Sequence, residues 1–174
     1  MMKLKGTSGF TAVELIISLT LATLFLLIIV ETALLLAKSH ERSRTYLDMN
    51  STAFGAFSRF SRDIRRATSV DTVNSTLGAS DGKLVLRMRK DDGTYDSTTF
   101  YLSENRVHEL FNANLVGDLT QDDISVSNLT FRLFQVSTTT AVRVEMTIVP
   151  EAASSTVGAL NFYGTYVLRG SYAQ

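Results

Sequence analysis

Side chains that most often do chemistry are sparse in this chain: it has two histidines, His40 and His108, and no cysteine. Without cysteine there can be no disulfide, thiolate metal site or cysteine nucleophile. Neither histidine sits in a nucleophile motif, and no Ser/His/Asp set, phosphate loop or GxGxxG is visible. Asp91, Asp92 and Asp96 gather around Gly93, and Asp122 and Asp123 are adjacent. Carboxylates so clustered could hold calcium, but the DxDxDG spacing is missing, and they read as a turn and a charged loop. No catalytic residue, metal ligand or cofactor is expected. One acid stands apart from these. Glu14 lies inside an apolar run, where a carboxylate is costly and normally has a partner.

That run is Phe10–Ala37, FTAVELIISLTLATLFLLIIVETALLLA, 28 residues with only Glu14 and Glu31 charged. About 20 apolar residues cross a bilayer core, so the segment is long enough. A removed secretory signal has a shorter apolar region, about 7–15 residues, ending in small residues. Neither Glu31-Thr32-Ala33 nor Leu36-Ala37-Lys38 makes a good site of that kind. A plain single-span anchor is the next rival, and Glu14 argues against it, although a glutamate snorkelling toward the headgroups near the helix start would alone be unremarkable. Ahead of the run, Lys3 and Lys5 lie in nine residues that contain no acid and end in Gly9.

Residues 3–18, KLKGTSG-FTAVELIIS, resemble the class III signal of type IV prepilins and pseudopilins: a short basic leader ending in Gly, then Phe, then Glu at the fifth mature position. The resemblance implies that prepilin peptidase cleaves between Gly9 and Phe10 on the cytoplasmic side and that the new amine of Phe10 is methylated. It also implies that Glu14 docks against a neighbouring subunit. The partners implied are other pilin or pseudopilin subunits, the peptidase and an inner-membrane assembly platform. The location implied is the bacterial inner membrane, single-pass, with the head in the periplasm or outside the cell. Each residue has a physical reason to serve. Lysines hold a leader on the cytoplasmic face, and glycine lets the backbone lie flat in a protease cleft. A carboxylate and an amine that are each unfavourable in lipid become tolerable as a pair. Lys38, Arg42 and Arg44 follow the span on its outer side, so orientation rests on the leader.

The element that positions these residues is a helix. Between Phe10 and Ala67 there is no proline and one glycine, Gly55. Residues 10–37 form its membrane half, and residues 38–67 an amphipathic half with seven basic and three acidic residues. In that second half Leu47, Phe54, Phe57, Phe60 and Ile64 fall on one stripe at the 3.6-residue period. The stripe is expected to be the spine of a globular core; an exposed oligomer seam is the alternative. Arg59, Arg62, Arg65 and Arg66 lie largely off it and read as a solvated or subunit-facing surface rather than a DNA or anionic-lipid patch. The helix is expected to end near Ala67, before loops at Thr68-Ser69-Val70, Asn74-Ser75-Thr76 and residues 78–82.

Residues 68–174 carry eight basic and twelve acidic side chains and read as a β-rich head. Period-two alternation predicts strands near Leu84–Arg89, Thr98–Leu102, Arg106–Phe111, Ser127–Val136, Ala141–Val149 and Phe162–Arg169. Residues 112–123 read as polar loop, and Ser137–Thr140 as a turn. The fold expected is α+β, a long N-terminal helix against five or six mostly antiparallel strands. FSRDIRRA at residues 60–67 and the terminal strand with Tyr166-Val167-Leu168-Arg169 are similar to J-type minor pseudopilins and W-type minor pilins. The function expected is therefore a non-enzymatic minor subunit, initiating or near the tip, in a type IV pilus, competence filament or type II secretion pseudopilus. The alternative is a tip adhesin or DNA-uptake module.

Overall fold

The computed structural model describes residues 11–121, 123–136, 139–151 and 157–169. One helix, α1 (Ala12–Arg66), precedes eight strands: β1 (Ser69–Val70), β2 (Lys83–Arg89), β3 (Tyr95–Ser103), β4 (Arg106–Phe111), β5 (Asn114–Asp118), β6 (Ile124–Val136), β7 (Thr139–Pro150) and β8 (Leu160–Val167). The chain divides into two compact units, one ending at Glu41 and the other beginning at Arg42.

In the second unit the strands form a five-stranded sheet, β1-β2-β3-β4-β5, and a three-stranded sheet, β6-β7-β8. Every neighbouring pair is antiparallel. The fold is the α+β class expected, a long N-terminal apolar helix with antiparallel sheets, and it is compatible with a pilin-like fold. Short local connections account for the meander order. Glu104 and Asn105 turn β3 into β4 with φ of 51° and 60°, the left-handed pair that a two-residue hairpin loop requires.

The core of this unit lies between the later turns of α1 and the two sheets. Met49, Ala53, Ala56, Phe60, Ile64 and Ala67 are buried at spacings of 4, 3, 4, 4 and 3, one face of a helix. Phe60 stands edge-on to Phe100 and Phe131, with centroids 5.0 and 5.9 Å away. Leu84, Leu86, Val107, Leu129, Val144 and Met146 complete the same cluster from the strands.

This corrects the expected stripe. Phe60 and Ile64 are fully buried, but Leu47 and Phe54 are 69% and 75% exposed, and Phe57 is half-buried. Small side chains at Ala53 and Ala56 let the helix approach the sheets closely, and that contact decides which face turns inward. Leu47, about 200° round the helix from Met49, is left outside.

Three other expectations change. Ser69–Val70 is a strand, because Thr68 N donates to the Arg87 carbonyl at 2.8 Å and Asp71 N to that of Val85 at 2.9 Å. Within residues 112–123 lies β5, which is almost entirely exposed and so carries no apolar alternation. Thr139 and Thr140 belong to β7 rather than to a turn, paired with Val136 and Gln135, while Ser137 lies outside the described residues. Eight strands therefore replace the five or six expected.

The two sheets are tied by the chain before β2. Gly82 N donates to the Leu129 carbonyl at 2.8 Å, Leu129 N to that of Ser80 at 2.8 Å, and Gly78 N to that of Phe131 at 2.9 Å. A Cβ at Gly82 would collide with the Leu129 carbonyl oxygen, so only glycine permits this approach.

Candidate functional site

Of the residues singled out by the leader motif, Gly9 and Phe10 lie outside the described residues, and Glu14 is in the first turn of α1. Thr11 caps that helix. Its carbonyl accepts from Leu15 N at 3.1 Å, and its Oγ1 from Glu14 N at 3.3 Å. Glu14 therefore occupies the third helical position after a threonine cap, the T-x-x-E pattern of a capping box. The motif is legible as Thr11-Ala12-Val13-Glu14, and reading Glu14 only against the leader overlooks it. A carboxylate here also complements the positive end of the helix dipole. Among the described residues the Glu14 side chain has no hydrogen-bond or ion-pair partner.

The turns that follow are built for an apolar medium. Thr20 Oγ1 bonds the Ile16 and Ile17 carbonyls at 2.9 Å, Thr23 Oγ1 that of Leu19 at 3.0 Å, and Thr32 Oγ1 that of Ile28 at 2.7 Å. These hydroxyls are satisfied inside the helix and need neither water nor a neighbour. Between Glu14 and Glu31 stand 16 uncharged residues, Leu15–Val30, a rise of about 24 Å against a bilayer core of about 30 Å. None of the most apolar 18-residue stretch is buried. This helix is long and apolar enough to cross a membrane, as a single-pass anchor requires.

Polar groups of the second unit are arranged in pairs. Arg59 on α1 makes a two-pronged ion pair with Glu109 on β4, Nε–Oε2 2.7 Å and Nη2–Oε1 2.9 Å, with the Glu109 side chain 5% exposed. Arg62 Nε bonds Asp63 Oδ1 at 2.9 Å. These arginines lie off the stripe as expected, yet two of them hold buried acids rather than only facing solvent. A groove of about 510 Å³ beside them is lined by Arg59, Arg62, Arg66, Arg89 and Lys90 and by the acids Asp63, Asp96 and Glu109.

Asp71 is a hub in the loop after β1. Its carboxylate accepts from Val73 N and Asn74 N at 3.2 Å, from Asn74 Nδ2 at 2.9 Å and from Arg87 Nη2 at 2.5 Å. Hydrogen bonds from Asn74 and Arg87 to the charged form hold its pKa down at about 2.

His108 is in β4, its Nδ1 2.6 Å from Asp118 Oδ1 and its Nε2 3.2 Å from the Ser103 carbonyl, with the ring stacked on Tyr101. His40 is exposed on α1. Around the acidic turn, Asp92 Oδ1 accepts from Thr94 N at 2.8 Å and Asp96 pairs with Lys90 at 2.8 Å. Asp122 lies outside the described residues, and among those described no group of three His, Cys, Asp or Glu side chains is placed to hold a metal. Compared with known proteins, the chain matches no family model, no curated protein and no solved structure.

Proposed function

We propose that the chain is a type IV pilin-like structural subunit without enzymatic activity. Prepilin peptidase removes the leader after Gly9, Phe10 becomes the methylated N-terminus, and the apolar half of α1 stays in the inner membrane. Glu14 then meets the terminal amine of a neighbouring subunit, and the second unit becomes the head of the assembled filament. The observation that supports this most is the placing of Glu14. It is a carboxylate without a partner among the described residues, at the start of a 16-residue uncharged helical run whose side chains are exposed. A charge so placed has a use when a partner arrives from outside the chain. The similarity of FSRDIRRA at residues 60–67 favours a minor, initiating subunit near the tip of a pilus or a secretion pseudopilus.

Intact mass of the membrane-extracted protein tests the reading. The expected chain begins at Phe10 and carries one methyl group. A product that begins beyond Ala37, or retains Met1–Gly9 in cells with an active peptidase, overturns it.

A second reading is favoured by the groove in which five basic side chains outnumber three acidic ones. Arg66 and Arg89 line it without an ion-pair partner among the described residues, as a head that binds DNA phosphates would need. Salt-dependent DNA binding that weakens in Arg66→Gln and Arg89→Gln would support a DNA-uptake subunit. Its absence leaves the purely structural role.

A further inference from the structure

The groove beside the last turns of α1 carries more cations than its own acids can pair. Three acids and five cations line it, and each acid is already met. Glu109 holds Arg59 through two bonds of 2.7 and 2.9 Å, Asp63 accepts from Arg62 Nε at 2.9 Å, and Asp96 Oδ1 lies 2.8 Å from Lys90 Nζ. Arg66 and Arg89 are left over. Both are exposed, and neither guanidinium has a hydrogen-bond or ion-pair partner among the described residues.

The fold brings these two cations to one place. Arg59, Arg62 and Arg66 follow at spacings of 3 and 4, one face of the helix. Thr68 N donates to the Arg87 carbonyl at 2.8 Å, and Arg89 N to Thr68 Oγ1 at 3.1 Å. The end of β2 is thereby held beside the residue two places after Arg66. Arg66, in the last helical turn, also complements the negative end of the helix dipole. Arg89 has no such use. Like charges in one groove repel, and a shared anion turns that repulsion into attraction.

Charge and size narrow the ligand. At about 510 Å³ the groove falls in the range of small-molecule sites, roughly 300–1,000 Å³. Met88 and the exposed Phe111 and Val116 give it an apolar side. A DNA duplex is held by many phosphate contacts, commonly about 6–10, and two spare arginines are few for that. Each guanidinium is a fork that fits the paired oxygens of a carboxylate or phosphate. Two such forks match a single group that carries two charges. A carboxylate carries one, whereas a phosphate monoester carries nearly two at neutral pH.

We propose that this groove binds a small phosphate monoester with an apolar or aromatic body. Arg66 and Arg89 grip the dianionic phosphate, and Phe111, Val116 and Met88 cover the body. The site owes nothing to the leader motif. It claims the same two arginines as the DNA reading, and the number and spread of the ligand's charges separate the two.

The test uses the full chain in nonionic detergent and phosphate-free buffer near pH 8, with phenyl phosphate as the probe in titration calorimetry. Saturable binding is expected, with Kd about 1 mM or tighter for a ligand of that size. Methyl phenyl phosphate keeps the ring and the tetrahedral group but carries one charge, and it should bind about tenfold more weakly. Arg66→Gln and Arg89→Gln should each weaken phenyl phosphate roughly tenfold, as loss of a hydrogen bond to a charged group implies. Phe111→Ala should weaken phenyl phosphate and leave inorganic phosphate unchanged. Arg65→Gln removes a charge from the same helical turn outside the groove, and it should bind within about twofold of wild type. Thermal melts within a few degrees of wild type show that each variant folds, and the methyl ester comparison needs no variant at all. No saturable binding of phenyl phosphate, equal affinity for its methyl ester, or an equal loss in Arg65→Gln overturns the assignment. A short DNA duplex that binds through Arg66 and Arg89 where phenyl phosphate does not would overturn it in favour of the DNA reading, and binding of neither ligand would end both.

Discussion

On the proposed reading Glu14 is both the third residue of a capped helix and the charge that meets a neighbouring subunit's amine, and three substitutions separate the two. Replacing Thr11 by Val removes the Oγ1 acceptor of Glu14 N and should cost the first turn about 1 kcal/mol, with the carboxylate untouched. Glu14→Gln keeps the shape but removes the charge. Glu14→Ala removes both. A carboxylate and an amine about 4 Å apart at an effective dielectric near 20 attract by about 4 kcal/mol. Lifting both from water and headgroups offsets part of that, so about 2–3 kcal/mol per contact is a fair net, or roughly 30–200-fold. Membrane insertion itself should not suffer, because the three variants are no more polar than the wild type across the span. The assay compares the membrane pool, resistant to carbonate extraction, with sheared or cross-linked filaments from cells that supply the partner subunits. Thr11→Val should assemble within about fivefold of wild type, matching the cap's 1 kcal/mol, whereas both Glu14 variants fall together by far more. Normal assembly by Glu14→Gln, or failure of Thr11→Val as deep as that of Glu14→Ala, would refute the charge-pairing argument.

Other perturbations probe the head. Ala113 sits at φ 67° in the two-residue turn between β4 and β5, so Ala113→Gly should stabilise the protein by about 1 kcal/mol, read as a rise in Tm of a few degrees. Asp71 is held at a pKa of about 2, below its unfolded value near 3.9. Its contribution is therefore fully present above pH 4 and is lost as pH falls toward 2, and in Asp71→Asn the difference from wild type in denaturant melts should shrink over that window. Breaking the Arg59–Glu109 pair by Arg59→Met leaves a carboxylate whose side chain is 5% exposed, and should cost about 2–3 kcal/mol, below the fully buried range because Arg59 is a third exposed. Adding Glu109→Leu should recover much of that loss, and a double mutant no better than the single would show that the pair is not the source.

The sheet was legible wherever a strand buries one face. Val142, Val144, Met146 and Ile148 in β7 alternate because one side meets the core; Leu84 and Leu86 in β2 meet it as the pattern places them, although Val85 between them is buried too. β1 and β5 were not legible for the converse reason. Two residues are too few for a pattern, and NLVGD faces solvent, reached through an Asn112-Ala113 turn that lacks the glycine such a turn normally shows. Glu14 was visible as an acid out of place, and the cap that holds it was equally readable from Thr11 but fell under the leader motif. Gly9 and Phe10 remain a matter of motif alone, since both lie outside the described residues.

The second half of α1 is where the pattern misled, and the reason bears on function. Hydropathy ranks Leu47 and Phe54 above Ala53 and Ala56, yet close packing on the sheets selects the small residues and leaves the large ones exposed. A buried aromatic contributes roughly 1.5–3 kcal/mol through its apolar surface, so a phenylalanine 75% exposed forgoes most of that in the isolated chain. Phe54 adjoins β8, at the edge of the three-stranded sheet that the described chain does not close. On this account Phe54→Ala should leave the stability of the chain within about 0.5 kcal/mol of wild type in denaturant melts, as for a surface substitution. A core residue would do the reverse, as Phe60→Ala should, costing about 3–5 kcal/mol of stability.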